Sequence, residues 1–135
     1  MSLLAEVEAA FAAEGLLSRA TAQYREREGQ TRMALAVAQT IEQGGALVVE
    51  AGTGVGKTFS YLVPALLSGE RVLLSTATKT LQDQLFGRDL PGLVEAFGLP
   101  LRTALLKGRG SYLCLHRLDM ARHDASLPER GSLRT

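Results

Sequence analysis

The stretch "ALVVEAGTGVGKTFSYLVPALL", residues 46–67, constrains this chain more than any other. A short apolar run rich in β-branched residues meets a glycine turn, and the turn leads directly into Lys57, Thr58 and a second apolar run. A buried strand, a glycine loop and a helix in that order form a cradle for phosphate. Across "AGTGVGKT" (51–58), Gly52, Gly54 and Gly56, with Thr53 and Val55 between them, let the backbone turn tightly and aim N–H groups at phosphate oxygens. The helix that starts near Gly56 adds its positive dipole end. Lys57 brings an ammonium to the β- and γ-phosphates, and the Thr58 hydroxyl is a ligand for Mg²⁺, so these two are the expected catalytic residues. The general pattern opens on Gly, and here Ala51 stands in that place. A glycine-rich turn with an incidental lysine is the competing reading, and the strand–loop–helix setting weighs against it. The sequence predicts a nucleoside-triphosphate site.

The flanking segments supply a fold class. Helical spacing runs through 2–13, with Leu3, Val7 and Ala10 or Phe11 on one side and Gly15 closing the segment. It returns in "QTRMALAVAQTIE" (30–42), with Met33, Val37 and Ile41 in register and Gly44–Gly45 as the stop. "ALVVE" (46–50), "RVLLST" (71–76) and "LRTALLK" (101–107) read as strands, the first two with the continuous apolar pattern of burial on both faces. Helices are expected over 57–67, over 79–86 with Thr78 as cap, and from Leu113 to Arg122, with Pro91 and Gly92 breaking the chain between. Alternating strands and helices imply an α/β fold, a parallel sheet with flanking helices. Three strands are few for a sheet covered on both faces, so the chain is expected to be the front part of a larger domain, with a sheet edge exposed.

Bulk composition bounds the function. A chain of 135 residues, 46% hydrophobic and 21% charged, suits a soluble globular protein and not a disordered one. No apolar run approaches the ~20 residues of a bilayer span, which predicts no membrane partner. The opening residues carry Glu6, Glu8 and Glu14 without a basic leader, unlike a secretory signal. Cys114, the single cysteine, cannot form an internal disulfide, so a reducing cytoplasmic setting is expected. Charge is uneven: residues 1–50 carry 4 basic and 7 acidic side chains, 51–100 carry 4 and 4, and 101–135 carry 7 and 3. The basic last third fits a polyanion partner or simply a solvated face.

Three further groups stand near the loop in sequence. Tyr24, Arg27 and Gln30 precede it by 20 to 30 residues. A glutamine amide can bond adenine in two places and an aromatic ring can stack on the base, while a helix cap and ordinary surface explain the same residues. Ser75, Thr76 and Thr78 follow the second expected strand, where ligands of parallel sheets bind. They suit a single-stranded nucleic-acid backbone, or plain capping. Cys114 reads as a small hydrophobe, since its spacing to His116 and His123 matches no zinc pattern.

Taken together, the segments resemble the start of a superfamily-two iron–sulfur DNA helicase of the DinG/XPD type, in its YoaA-like branch. "YREREGQTRMALAVAQTI" resembles the adenine-reading Q motif, "EAGTGVGKTFSYLVPAL" motif I and "LLSTATKTLQDQL" motif Ia. "LLKGRGSYLCLHRL" resembles the opening of the iron–sulfur domain. The resemblance implies a partial RecA-like P-loop domain ending where that iron–sulfur domain begins. It divides the chain into an N-terminal helical segment (1–23), the first part of the ATP-binding domain (24–106) and a truncated iron–sulfur start (107–135). It implies that Arg27 and Gln30 recognise adenine, that Gly52 to Thr58 hold ATP and Mg²⁺, and that Ser75, Thr76 and Thr78 touch single-stranded DNA. Cys114 would be the first ligand of a 4Fe–4S cluster in the full-length parent only, with Lys107, Arg109 and Arg117 near the DNA. The implied activity is ATP-driven 5′→3′ unwinding of DNA in repair.

The departures limit what this chain can do alone. The family has four cysteines and a D-E-x-H box, and this sequence has one cysteine and no adjacent Asp–Glu pair. Without that acid and an arginine finger, transition-state stabilisation worth ~10³ or more in rate is missing. An N-terminal fragment that binds ATP without turnover is therefore expected. A small P-loop kinase is the weaker alternative, since no lid-like insertion is present. The stronger alternative is a nucleotide- or partner-binding module without catalysis.

Overall fold

The computed structural model describes residues 1–22, 24–52 and 56–123. It falls into two compact units, Met1–Arg102 and Thr103–Thr135. The first is built of helices: α1 (Leu3–Phe11), α2 (Leu16–Ala20), α3 (Glu28–Gln43), α4 (Lys57–Leu67), α5 (Lys79–Gln84) and α6 (Leu90–Phe97), with a π-turn, Leu85–Asp89, joining the last two. The second carries a 3₁₀ turn, Arg109–Ser111, and α7 (Leu115–His123).

Local chemistry accounts for most helix ends. Ser2 caps α1, its Oγ accepting from Ala5 N at 3.3 Å. Gly15 then turns the chain into α2 under the end of α1, where a Cβ would strike the carbonyls of Ala9 and Ala10. Thr78 caps α5 as the sequence predicts, accepting from Leu81 N at 3.2 Å. Helix α4 also matches its predicted span, Lys57–Leu67. A short α2 is an element the sequence reading does not contain.

The first unit closes around Val7, Phe11, Leu17, Ala34, Ala38, Leu62, Val63 and Leu93, all buried. Each large side chain among them stabilises the fold by about 1.5–3 kcal/mol. Helix α3 packs on α4 and α1 through the buried stripe Gln30, Ala34 and Ala38, two of them small alanines. The apolar row Met33, Val37 and Ile41 lies one step round the helix, half-buried. It lines a groove shared with Leu47, Val49 and Tyr61. Small residues win the close approach because they let two helix backbones come together.

The expected parallel sheet is absent: among the described residues no strand forms, and residues 46–50, 71–76 and 101–107 belong to neither helix nor strand. This overturns the α/β reading. Val48, Leu73 and Leu106 are 96%, 91% and 83% exposed. Val48 is flanked by Leu47 and Val49, which are exposed as well but less so, at 41% each. An apolar β-branched run expresses a preference for burial, but a ladder needs a second run to take its N–H and C=O groups. A helix needs no such partner, and the helical half of the pattern forms.

Pro91 and Gly92 do not break the chain either. Pro91 has no N–H to offer the turn before it. The helix answers by widening ahead of the proline, with Leu90 N donating to Leu85 O, five residues back, and then continues to Phe97. Gly98, at φ 61°, closes it with Leu99 N donating to Val94 O at 3.2 Å.

Candidate functional site

Two apolar runs bracket the glycine loop, and α4 begins at its lysine. Gly56 stands just before it at φ 80°, ψ 36°, a left-handed conformation that favours glycine. Thr53, Gly54 and Val55 lie outside the described residues. Gly52 is exposed and Thr58 half-buried in the first turn of α4. Lys57 reaches back across the loop, its Nζ donating to Ala51 O at 2.8 Å. An ammonium has three donors, so this bond uses one of them at the mouth of the loop. The eleven-residue α4 directs its N-terminal N–H groups and dipole to the same place.

Gln30 comes to this loop from 26 residues away. It lies in the first turn of α3, 4% exposed, and its Nε2 donates to Gly56 O at 3.0 Å. The loop therefore meets the glutamine that the sequence reading singles out, on a backbone carbonyl. Arg27 is the exposed N-cap residue of the same helix, its carbonyl accepting from Thr31 N at 3.1 Å. Tyr24 turns to the N-terminal helices: its hydroxyl donates to Phe11 O at 2.7 Å. Burial, with a smaller contribution from Glu26, raises the Tyr24 pKa above its ordinary value of 10.0.

Ser60 was missed by sequence reasoning. It is fully buried, and its Oγ donates to Gln30 O at 3.0 Å. A signal existed: Ser60 is a small polar residue in the apolar run "FSYLVPALL", one helical turn beyond Gly56.

The other predicted residues make local bonds among the described residues. Thr76 Oγ1 donates to Thr78 O at 3.2 Å while the Thr78 hydroxyl caps α5, so both serve a local turn, and Ser75 is exposed beside them. Cys114 belongs to the second unit, exposed at the start of α7 with Leu118 N donating to its carbonyl at 3.0 Å. In that unit the Tyr112 hydroxyl accepts from Lys107 N at 2.9 Å. Among the described residues no group of three or more His, Cys, Asp or Glu side chains could hold a metal, so they do not by themselves fit an iron–sulfur cluster. No helix among them is long and apolar enough to cross a membrane.

Comparison with known proteins bears on the same residues. The DEAD/DEAH box helicase family model matches residues 31–111. The ATP-dependent DNA helicase YoaA of Escherichia coli is 53% identical over 109 residues, covering 81% of this chain and 17% of that protein. YoaA of Haemophilus influenzae is 47% identical over 123 residues, covering 91% and 19%. The 3′-5′ exonuclease DinG of Bacillus subtilis is 36% identical over 115 residues, covering 82% and 12%. The chain thus spans less than a fifth of the length of each of these relatives. No solved structure matches significantly.

Proposed function

The chain belongs to the DEAD/DEAH box helicase family, and from that membership we propose that it is the nucleotide-holding N-terminal part of an ATP-dependent DNA helicase acting 5′→3′ in repair. The observation that carries this reading is the loop: left-handed Gly56 opens α4, and Lys57 spans back to Ala51 at 2.8 Å. In this reading the backbone of Gly52 to Gly56 and the Lys57 ammonium hold the triphosphate, and Thr58 presents its hydroxyl to Mg²⁺. When bound, Mg²⁺ neutralises phosphate charge. Arg27 and Gln30 bring the start of α3 to the nucleotide. Ser75, Thr76 and Thr78 lie against single-stranded DNA, and in the second unit the basic side chains Lys107, Arg109 and Arg117 meet DNA as well. The segments 1–23, 24–106 and 107–135 then serve as helical brace, ATP-binding part and the beginning of the next domain, in a cytoplasmic protein.

Alone, the chain holds ATP without hydrolysing it. An adjacent Asp–Glu pair to orient Mg²⁺ and water is absent from its sequence. That absence also favours a second reading, a nucleotide-binding module with no catalytic role. Two assays separate them. Phosphate release by this chain with single-stranded DNA should stay at background. The longer protein should hydrolyse ATP and unwind duplexes bearing a 5′ tail, and lose both with Lys57→Ala. An active Lys57→Ala longer protein would refute the helicase reading, and unwinding from 3′ tails alone would refute the direction.

A further inference from the structure

Ser60 has no part in the reading above, yet it sits directly behind the loop. Its side chain has no exposed surface, and its Oγ lies 3.0 Å from Gln30 O and 3.4 Å from Gly56 O. A hydroxyl has a single proton. The shorter contact is therefore the principal bond, and it ties the first turn of α3 to α4. From the other side, the Gln30 amide donates to Gly56 O at 3.0 Å. Gly56, Ser60 and Gln30 thus close a small, partly buried ring linking residues 26 and 30 positions apart.

The ring acts on the loop through one peptide plane. Gly56 C=O and Lys57 N–H belong to the same planar trans unit and point in opposite directions. Holding the Gly56 oxygen inward, toward Gln30 and Ser60, turns the Lys57 N–H outward from the N-terminus of α4. That is the direction in which an anion at a helix start is bound. The Gly56 carbonyl is also the N-cap acceptor of α4, so the ring reinforces an orientation that the helix start already favours.

We propose that Ser60 is a positioning residue for triphosphate binding: it holds Gln30 in register so that the Gln30 amide pins the Gly56 carbonyl and aims the Lys57 N–H at phosphate. This rests on the triphosphate site proposed above. The role belongs to the phosphate cradle and not to the base, which separates it from adenine recognition.

The test is calorimetric titration of the chain with MgATP and, separately, with magnesium tripolyphosphate, alongside thermal melts. Ser60→Ala is expected to raise the Kd of both ligands by a similar factor, about threefold to tenfold, the usual effect of one lost buried hydrogen bond. Gln30→Met, close in volume but without a donor, should do the same, and it decides the matter if Ser60→Ala does not fold. A lowered melting temperature with both Kd values unchanged would mean that Ser60 is structural only, and would overturn the proposal. Weakened ATP binding with tripolyphosphate unaffected would overturn it in favour of base recognition. If the wild-type chain binds neither ligand, the triphosphate site itself is refuted, and the positioning role with it.

Discussion

Gly56→Ala is the sharpest single perturbation the structure offers. Gly56 sits at φ 80°, where a side chain costs about 1–2 kcal/mol. An added Cβ would also run into the Gln30 amide nitrogen, the atom that donates to Gly56 O at 3.0 Å. That nitrogen ends a flexible side chain, so it can move aside. Its departure removes a partly buried hydrogen bond, worth about 1 kcal/mol. Together these effects come to about 2–3 kcal/mol. For a unit of about 100 residues each kcal/mol shifts the melting temperature by about 4–8 °C, so a fall of at least about 8 °C is expected. MgATP affinity should fall as well, because the same change turns the peptide that carries the Lys57 N–H. Differential scanning calorimetry and MgATP titration of wild type and variant measure both. A variant that melts within about 2 °C of wild type and binds MgATP equally would refute the left-handed Gly56 and its contact with Gln30.

Further outcomes follow from the surrounding bonds. Tyr24→Phe removes the hydroxyl that donates to Phe11 O at 2.7 Å, and urea unfolding should show a loss of about 1 kcal/mol. Because burial and Glu26 raise the folded-state Tyr24 pKa above 10.0, its contribution is fully present below about pH 10 and is lost as pH rises through the folded-state value. Wild-type stability should therefore fall more steeply above about pH 10 than that of Tyr24→Phe; parallel curves would contradict the burial. Thr78→Ala deletes the α5 cap and should cost about 1 kcal/mol in the same assay. A loss of single-stranded DNA binding with stability unchanged would instead assign Thr78 to DNA alone. Gly15→Ala should destabilise strongly, since its Cβ meets the backbone carbonyls of Ala9 and Ala10; a normal melt would refute that packing.

What could be read in advance followed the range of the interactions involved. Helix α4, the Thr78 cap and α7 rest on contacts within a few residues, and sequence spacing displays them. The start of α4 at Lys57, directly after a left-handed Gly56, was legible for the same reason. Ser60 was not, because its importance arises from a bond to a carbonyl 30 residues away. On α3 the spacing displays the helix and its apolar row Met33, Val37 and Ile41, but not that close helix packing selects Gln30, Ala34 and Ala38 for burial. The sheet failed for a related reason. The residues of 46–50 and 71–76 state that they are apolar and β-branched, and nothing within a run of five or six states what will pair with it.

The most direct test of the central claim is the binding of MgATP to this chain by calorimetry, wild type against Lys57→Ala. A saturable one-to-one interaction in the wild type, weakened at least about tenfold by the substitution, is expected from the loss of an ammonium at the mouth of the loop. Equal binding by both proteins, or none by the wild type, would contradict a phosphate site built on Lys57.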